Sequence, residues 1–172
     1  QINQCIVRVD NREGLFDQIC KIAVDFGKFH LAWIGTVDEK ARIITPASVY
    51  GAGADLIRNI QIPTDDVPKG QGPSARAYRE KKTVVCHDIR NDPGMGPWIM
   101  LADQLSYQSA ASVPVFFNGQ VACIYAVYSV ERDFFDEEEI QLLNEVGLDL
   151  SFALEVLHRE QERRDAVQQL QQ

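Results

Sequence analysis

The chain has 172 residues, 45% of them hydrophobic, and a formal net charge of −8. This length fits a single domain, which would bury roughly 70% of the surface of the extended chain on folding. The sequence has no apolar run of about 18 residues, and its excess negative charge lies after residue 130 with no basic stripe elsewhere, so we expect neither a membrane nor a nucleic acid as a partner.

Residues 1–50 are predicted to form helices followed by a hairpin. Apolar residues at helical spacing indicate two short helices within residues 1–26, joined at Asp10-Asn11, and the second of them would cover a sheet with its apolar face. Runs of β-branched and aromatic residues then predict strands at 30–37 and 41–50 around a polar turn, with Trp33 in the core of this hairpin.

Residues 51–105 alternate loops with short regular elements. Between residues 51 and 73, seven of 23 positions are glycine or proline, which favours a long loop interrupted by a short helix at 54–59. Loops of this length inside a compact domain are usually functional or disordered. The segments that follow are predicted as a helix at 74–81, a strand at 83–86, a second loop at 87–97 and a helix at 98–105.

Residues 108–129 carry the strongest hairpin signal. Asn118-Gly119 lies between two apolar runs and suits a type I′ turn, because both residues tolerate a positive φ. Pairing the strands about this turn places Ser112, Tyr125 and Val127 on one face. Both faces are apolar, so we expect both sides of the sheet to be covered. Pro114 has no N–H to donate, which predicts a bulge or a strand end near it.

A long helix is predicted after Asp136, whose side chain can cap an acidic first turn. At a rise of 1.5 Å per residue, about 35 residues span about 50 Å, which is longer than such a domain is wide. We therefore expect its end to project, to pair with another copy, or both. Apolar residues three and four apart indicate a coiled-coil seam and a homodimer contact through Leu143, Val146, Leu150, Ala153 and Leu157.

Five segments in this order resemble a GAF domain: LFDQICKIAVDFG, LAWIG, GPSARAYREKKTVVCHDIRNDP, SAASVPVFFNGQVACIYAVYS and FFDEEEIQLLNEVG. The resemblance covers residues 1–157 as a sensory domain, and residues 158–172 resemble the start of a signalling helix or coiled-coil linker to an output domain in cis. It implies an α+β fold with a PAS-like antiparallel sheet of five to six strands. It also implies N- and C-terminal helices on one face, with loops and short helices over a small-molecule pocket on the other.

The residues used by specialised GAF domains are largely missing. The helix at 98–105 lacks the Cys-His pair of bilin-binding members, and Cys86-His87 lies two segments too early, so no covalent bilin is expected. His87 is the best ligand candidate, but a loop histidine satisfied by the backbone is the simpler interpretation, and haem is not expected. Residues 129–132 lack the Asn and Lys of cyclic-nucleotide-binding members, and residues 105–110 lack the cysteine of members that reduce free methionine sulfoxide. The sequence therefore identifies no cofactor.

No catalytic or metal-binding set is predicted. The histidines fall on separate elements, and the four cysteines have no CxxC spacing, so buried free thiols are expected. We expect instead a mostly apolar pocket, with the hairpin and Trp33 as its floor and residues 62–78 and 88–105 as its walls. Its inward residues are predicted as Trp33, Ala75, Trp98, Leu101, Tyr107, Ser112, Tyr125 and Val127, each with plain core packing as the alternative.

The resemblance implies a regulatory role rather than an enzyme. Such a domain would bind a small molecule, dimerise, or both, and would control an attached histidine kinase, diguanylate cyclase or cyclic-di-GMP phosphodiesterase in the cytoplasm. The alternative is a dimerisation module whose pocket has filled with side chains and binds no ligand.

Overall fold

The computed structural model describes residues 11–171. The helix predicted before Asp10 lies outside the described residues. The second N-terminal helix, α1, spans Arg12–Asp25 and begins at Asn11, whose side-chain oxygen accepts a hydrogen bond from the Gly14 N–H at 2.7 Å. Its buried face includes Leu15, Phe16 and Ile19, as the amphipathic pattern predicts.

A six-stranded antiparallel sheet forms the centre of the domain, in the order β3-β2-β1-β6-β5-β4. The predicted α+β fold with five to six strands is thus confirmed. The strand β3 was not predicted, because its two residues are too short to leave a pattern. The strands are β1 (Leu31–Asp38), β2 (Ile43–Gly51), β3 (Ile62–Pro63), β4 (Val84–Cys86), β5 (Ser109–Phe117) and β6 (Gln120–Ser129).

Short helices and turns connect the strands on one side, and one long helix ends the described chain. The helix predicted at 54–59 is shorter than expected, and the loop predicted at 87–97 contains two 3₁₀ turns. None of the helices in the described part is long and apolar enough to cross a membrane. The remaining helices are α2 (Ala54–Ile57), α3 (Pro73–Glu80), α4 (Ile99–Leu105) and α5 (Glu137–Leu170), with 3₁₀ turns at Pro68–Gly70, Ile89–Asn91 and Pro93–Trp98.

Each face of the sheet packs a separate hydrophobic core. Helices α1 and α5 cover one face, where Phe16 and Leu150 meet sheet residues such as Val113. The short elements α2, α3 and α4 cover the opposite face, where Trp33 is fully buried. A sheet that is apolar on both sides requires this double cover, because either face would otherwise be left in water.

A β-bulge in β6 changes which face each of its later residues occupies. Phe116 pairs with Val121, but Val115 pairs with Cys123, so Ala122 is the extra residue. From Cys123 onward the pairing is one residue out of step with the pairing predicted about the Asn118-Gly119 turn. A slip of one residue turns every following side chain to the other face. The bulge expected near Pro114 therefore exists, but on the partner strand.

The last helix packs along the sheet, so its proposed dimer seam needs correction. Leu143, Leu150 and Ala153 are buried against the chain's own sheet, and Val146 and Leu157 pack at the edge of the same core. The spacing of three and four that marks a coiled-coil seam also marks a helix face that packs on a sheet. Leu143, Leu150 and Ala153 are thus closed to a second copy, whereas Val146 and Leu157 are half-buried. The association of two copies stays a prediction.

Candidate functional site

A cavity lies between the sheet and the short elements that cover its second face. It has a volume of about 60 Å³ and is partly open to solvent. No charged side chain belongs to this lining as the described residues form it. The lining residues are Ile57, Ile60, Ile62, Gly72, Pro73, Ser74, Ile89, Met95, Trp98, Leu101, Ala102, Leu105, Tyr107 and Tyr128.

Side-chain hydrogen bonds to backbone carbonyls tie the walls of the cavity together. The Arg79 guanidinium of α3 donates through one nitrogen to three carbonyls in the segment 64–70, at 2.7–3.0 Å. The Trp98 indole N–H donates to the carbonyl of Lys69 at 3.2 Å. Loops without regular structure are thus held over the cavity by groups that are themselves fixed on helices and turns.

The start of α3 is placed against the sheet by a close loop contact and a pair of serines. Gly94 lies so near the loop just before α3 that a Cβ on it would come within 2.4 Å of the Gln71 carbonyl oxygen. Only glycine fits this approach without moving one of the two backbones. The Ser74 hydroxyl at the start of α3 hydrogen-bonds that of Ser112 on β5 at 2.8 Å, so the cavity wall is pinned to its floor.

Two tyrosines form the polar end of an otherwise apolar lining. Their rings stack with centroids 5.3 Å apart. The Tyr107 hydroxyl donates to the carbonyl of Ala52, and the Tyr128 oxygen accepts the indole N–H of Trp33 at 2.9 Å. Burial raises the pKa of both Tyr107 and Tyr128 to about 12, so both phenols keep their protons at neutral pH.

The predicted site residues fall into three groups. Trp98, Leu101 and Tyr107 line the cavity. Trp33, Ala75 and Ser112 lie on the same face behind the lining, as core residues. Tyr125 and Val127 were placed wrongly, since both pack in the core between the sheet and α1 and α5. The bulge at Ala122 explains the error, because it moves them to the helical face and brings Ile124 and Tyr128 to the cavity face.

The sequence reasoning missed two contributions to the lining. Tyr128 was missed because the assumed strand register placed it on the other face. Ile57 and Ile60 come from α2 and the loop after it, ahead of the segments predicted as walls. The signal for them was visible as isolated apolar residues in a Gly/Pro-rich loop, which have to pack somewhere.

The described thiols are poor nucleophiles. Cys20, Cys86 and Cys123 are free and buried. Burial, with a smaller contribution from a hydrogen bond to Asp92, raises the pKa of Cys86 to about 12, so it holds almost no thiolate at neutral pH. Cys5 lies outside the described residues. Within residues 11–171, no group of His, Cys, Asp and Glu side chains is arranged to hold a metal ion.

Comparison with known sequences points to one family. The family model of the GAF domain matches residues 10–155, which is most of the chain. A search of curated proteins found no match.

Solved structures with the same fold come from regulatory and enzymatic proteins. A free methionine-R-sulfoxide reductase from Neisseria meningitidis, in complex with its substrate, has a TM-score of 0.76 at 19% identity, covering 92% of this chain and 87% of that one. The GAF domain of a phosphoenolpyruvate-protein phosphotransferase from Coxiella burnetii has a TM-score of 0.76 at 13% identity, covering 94% and 93%. Residues 122 to 287 of a methyl-accepting chemotaxis protein have a TM-score of 0.72 at 13% identity, covering 91% and 96%. At these identities the similarity shows the fold alone.

Proposed function

The chain belongs to the GAF domain family, and on that premise we propose that it is a sensory domain in which a bound small molecule controls an attached output domain. The same fold occurs in a methyl-accepting chemotaxis protein, which supports a role in signalling. The observation that carries the proposal is the position of the cavity on the face of the sheet opposite the long helix α5. Tyr128 of β6 lines the cavity, and β6 pairs with β5, on whose other face α5 packs.

The paired strands β6 and β5 offer a short physical route from the cavity to the helix. Tyr128 of β6 lines the cavity, while its neighbour Val127 packs in the helical core. On β5, the Phe116 N–H donates to the Ser151 hydroxyl of α5 at 2.9 Å, and that hydroxyl donates to the carbonyl of Gly147 at 2.8 Å. A ligand that moves these strands therefore also changes the contacts that fix α5.

The end of α5 is where the signal would leave the domain. Residues 161–170 are exposed throughout, and the helix continues without a break across the boundary predicted at 157–158. Its 34 residues span about 51 Å at 1.5 Å per residue. We propose that residues 158–172 continue into an output domain such as a histidine kinase, a diguanylate cyclase or a cyclic-di-GMP phosphodiesterase.

Filling the cavity tests the sensory role. Ala102→Trp places an indole in the lining, whereas Met100→Trp adds the same side chain on an exposed position of the same helix and serves as the control. In a thermal-shift screen of small metabolites, compounds that stabilise the wild type and Met100→Trp are expected to lose their effect on Ala102→Trp. Bound compounds should also slow hydrogen exchange in β6 and around Ser151. Equal stabilisation of both variants, or binding that leaves exchange in α5 unchanged, would contradict the proposal.

Regulation rather than catalysis is the role we propose, although some structural neighbours are reductases. The segment 105–110 has no cysteine, and Cys86, the described thiol on the cavity side of the sheet, is buried with a raised pKa. Buried free thiols also suit a reducing compartment, which supports the cytoplasm as the location. Rapid alkylation of Cys86 at neutral pH, together with reduction of free methionine sulfoxide, would contradict this assignment.

A dimerisation module is the second candidate function, favoured by an apolar stripe on the outer side of α5. Leu148 and Phe152 are 70% and 61% exposed, and Val156 continues the stripe one turn later. We propose that a second copy covers it. Leu148→Glu with Phe152→Glu should convert a dimer to a monomer in light scattering, whereas Gln161→Glu with Gln168→Glu should leave the mass unchanged. An unaltered mass in the first variant would show that this stripe is not the contact.

A further inference from the structure

Tyr128 holds a hydrogen-bond donor that the fold does not use. Its oxygen accepts the Trp33 indole N–H at 2.9 Å, and an indole nitrogen is a donor only, so the phenol proton is not consumed by this bond. Within the described part of the chain, no atom accepts that proton. Tyr128 lines the cavity and is partly accessible.

The other polar groups of the lining already have protein partners. The Tyr107 hydroxyl donates to the carbonyl of Ala52, and the Trp98 indole donates to that of Lys69. The Ser74 hydroxyl is paired with that of Ser112. A molecule in the cavity therefore meets the Tyr128 hydroxyl as a donor with an uncommitted proton. The Ser74 hydroxyl is a second one only when Ser112 supplies the proton of the serine pair.

The rest of the lining selects against charge. It consists of aliphatic, thioether and aromatic surface with no charged side chain among the described lining residues, and Arg79 of α3 donates through one nitrogen to three backbone carbonyls outside the lining. Burying an ion without a partner costs far more than burying a neutral polar group that makes one hydrogen bond. A carboxylate, phosphate or ammonium is thus disfavoured.

The volume of the cavity limits how much of a ligand it can enclose. At about 60 Å³ it is smaller than the cavity of about 150 Å³ that encloses benzene, so it can enclose a polar group with a few carbon atoms, and the rest of a larger molecule would lie in its open mouth.

We propose that this cavity takes a small, uncharged, mainly apolar molecule that carries one hydrogen-bond acceptor, such as a ketone, and that the Tyr128 hydroxyl donates to this acceptor. The inference rests on the ligand-binding role proposed above and defines its ligand class. Because the pKa of Tyr128 is raised to about 12, its proton is retained, and the affinity should stay constant between about pH 6 and pH 9.

Three probes of similar shape test the two parts of the proposal. Acetophenone carries the acceptor, ethylbenzene has none, and benzoate replaces the ketone by a charge. By isothermal titration calorimetry, Tyr128→Phe is expected to weaken acetophenone about 3- to 10-fold, the usual range for one neutral hydrogen bond, and to leave ethylbenzene within about 2-fold. Benzoate should bind at least about 10-fold more weakly than acetophenone, because its charge would be buried without a partner. The control is Tyr107→Phe, which removes a hydroxyl whose donor is used within the protein and should weaken both neutral probes equally.

A second readout uses the wild type alone, in case Tyr128→Phe fails to fold after Trp33 loses its acceptor. The carbonyl stretch of bound acetophenone should lie at lower infrared frequency than in an alkane solvent, as expected for a carbonyl that accepts a hydrogen bond. An unshifted stretch, or equal weakening of acetophenone and ethylbenzene by Tyr128→Phe, overturns the role of Tyr128. Benzoate as the tightest probe overturns the uncharged class. Both results leave ligand binding in the cavity standing, whereas no binding of any probe to the wild type counts against both the inference and the proposed function.

Discussion

Replacing Gly147 by alanine tests how tightly α5 is seated on the sheet. Alanine in a helix interior is favoured over glycine by about 1 kcal/mol, so propensity alone predicts a more stable protein. In this structure, however, a Cβ at Gly147 would lie 2.6 Å from the Cγ1 atom of Val113, whereas ordinary contact begins at 3.4 Å. Val113 is 2% exposed, and its β-branched side chain has few other rotamers, so it cannot swing away.

The clash is expected to outweigh the gain in helix propensity. Overpacking a dense core usually costs about 1–3 kcal/mol, which leaves a net loss of about 1 kcal/mol in the free energy of unfolding for Gly147→Ala. The sign should reverse in a Val113→Ala background. There the new Cβ would meet only the Pro114 carbonyl oxygen at 3.5 Å, an ordinary contact, and Gly147→Ala should stabilise by up to about 1 kcal/mol.

Urea unfolding of the four proteins in this cycle measures the effect. Fluorescence of the fully buried Trp33 reports the transition, and a change of 1 kcal/mol should also move the melting temperature by about 2–4 °C in a domain of this size. The expected coupling between the two substitutions is about 2 kcal/mol, within the range found for residues in contact. If Gly147→Ala stabilises the wild-type protein, or acts equally in both backgrounds, the close seating of α5 on β5 is wrong.

Three further predictions follow from groups already described. Ser151→Ala removes the acceptor of the Phe116 N–H and should lower the free energy of unfolding by about 1 kcal/mol in the same urea assay; an unchanged midpoint would show that the bond contributes nothing. In a Cys5→Ser variant, Ellman's reagent at pH 8 should react with the native protein far more slowly than with the urea-unfolded protein, and equal rates would contradict the burial of the other three thiols. Stability should fall as the pH rises from 9 towards 12, because burial raises the pKa of the Cys20 thiol from 9.0 to about 12, so between these values the unfolded state binds fewer protons than the folded state. Each such group lowers the free energy of unfolding by at most about 1.4 kcal/mol per pH unit, and urea titrations at pH 8, 9 and 10 that gave constant or rising stability would refute the shift.

Sequence patterns predicted the elements well and the faces of some of them poorly. The hairpin at 108–129 was predictable, because Asn118-Gly119 is a strong local turn signal between two apolar runs. The face of the sheet on which Tyr125 and Val127 lie was not predictable. Both faces are apolar, so the strand has no alternation of polar and apolar residues that would reveal the bulge at Ala122. Prediction of the α5 contact failed for a similar reason, since Leu150 would satisfy a coiled coil or a sheet equally well.

The cavity was predictable in outline and not in detail. A large aromatic in a Gly/Pro-rich loop needs a packing partner, which made a site at Trp98 predictable, and Trp98 does line the cavity. The use of Arg79 to bind three loop carbonyls could not be predicted, because the partners are backbone atoms that carry no sequence signal.

The strand order has a consequence for the kinetics of folding. Each half of the sheet, β1 to β3 and β4 to β6, can form from neighbours along the chain, but the central pair β1 and β6 joins Leu31 to Tyr128. Contacts between residues so far apart in sequence form slowly, because the chain between them must lose conformational entropy before they form. We therefore expect the strands within each half-sheet to pair first, and β1 to pair with β6 in a late, rate-limiting step. In stopped-flow refolding, Trp33, which lies on one half and bonds to the other, should change its fluorescence in that final phase.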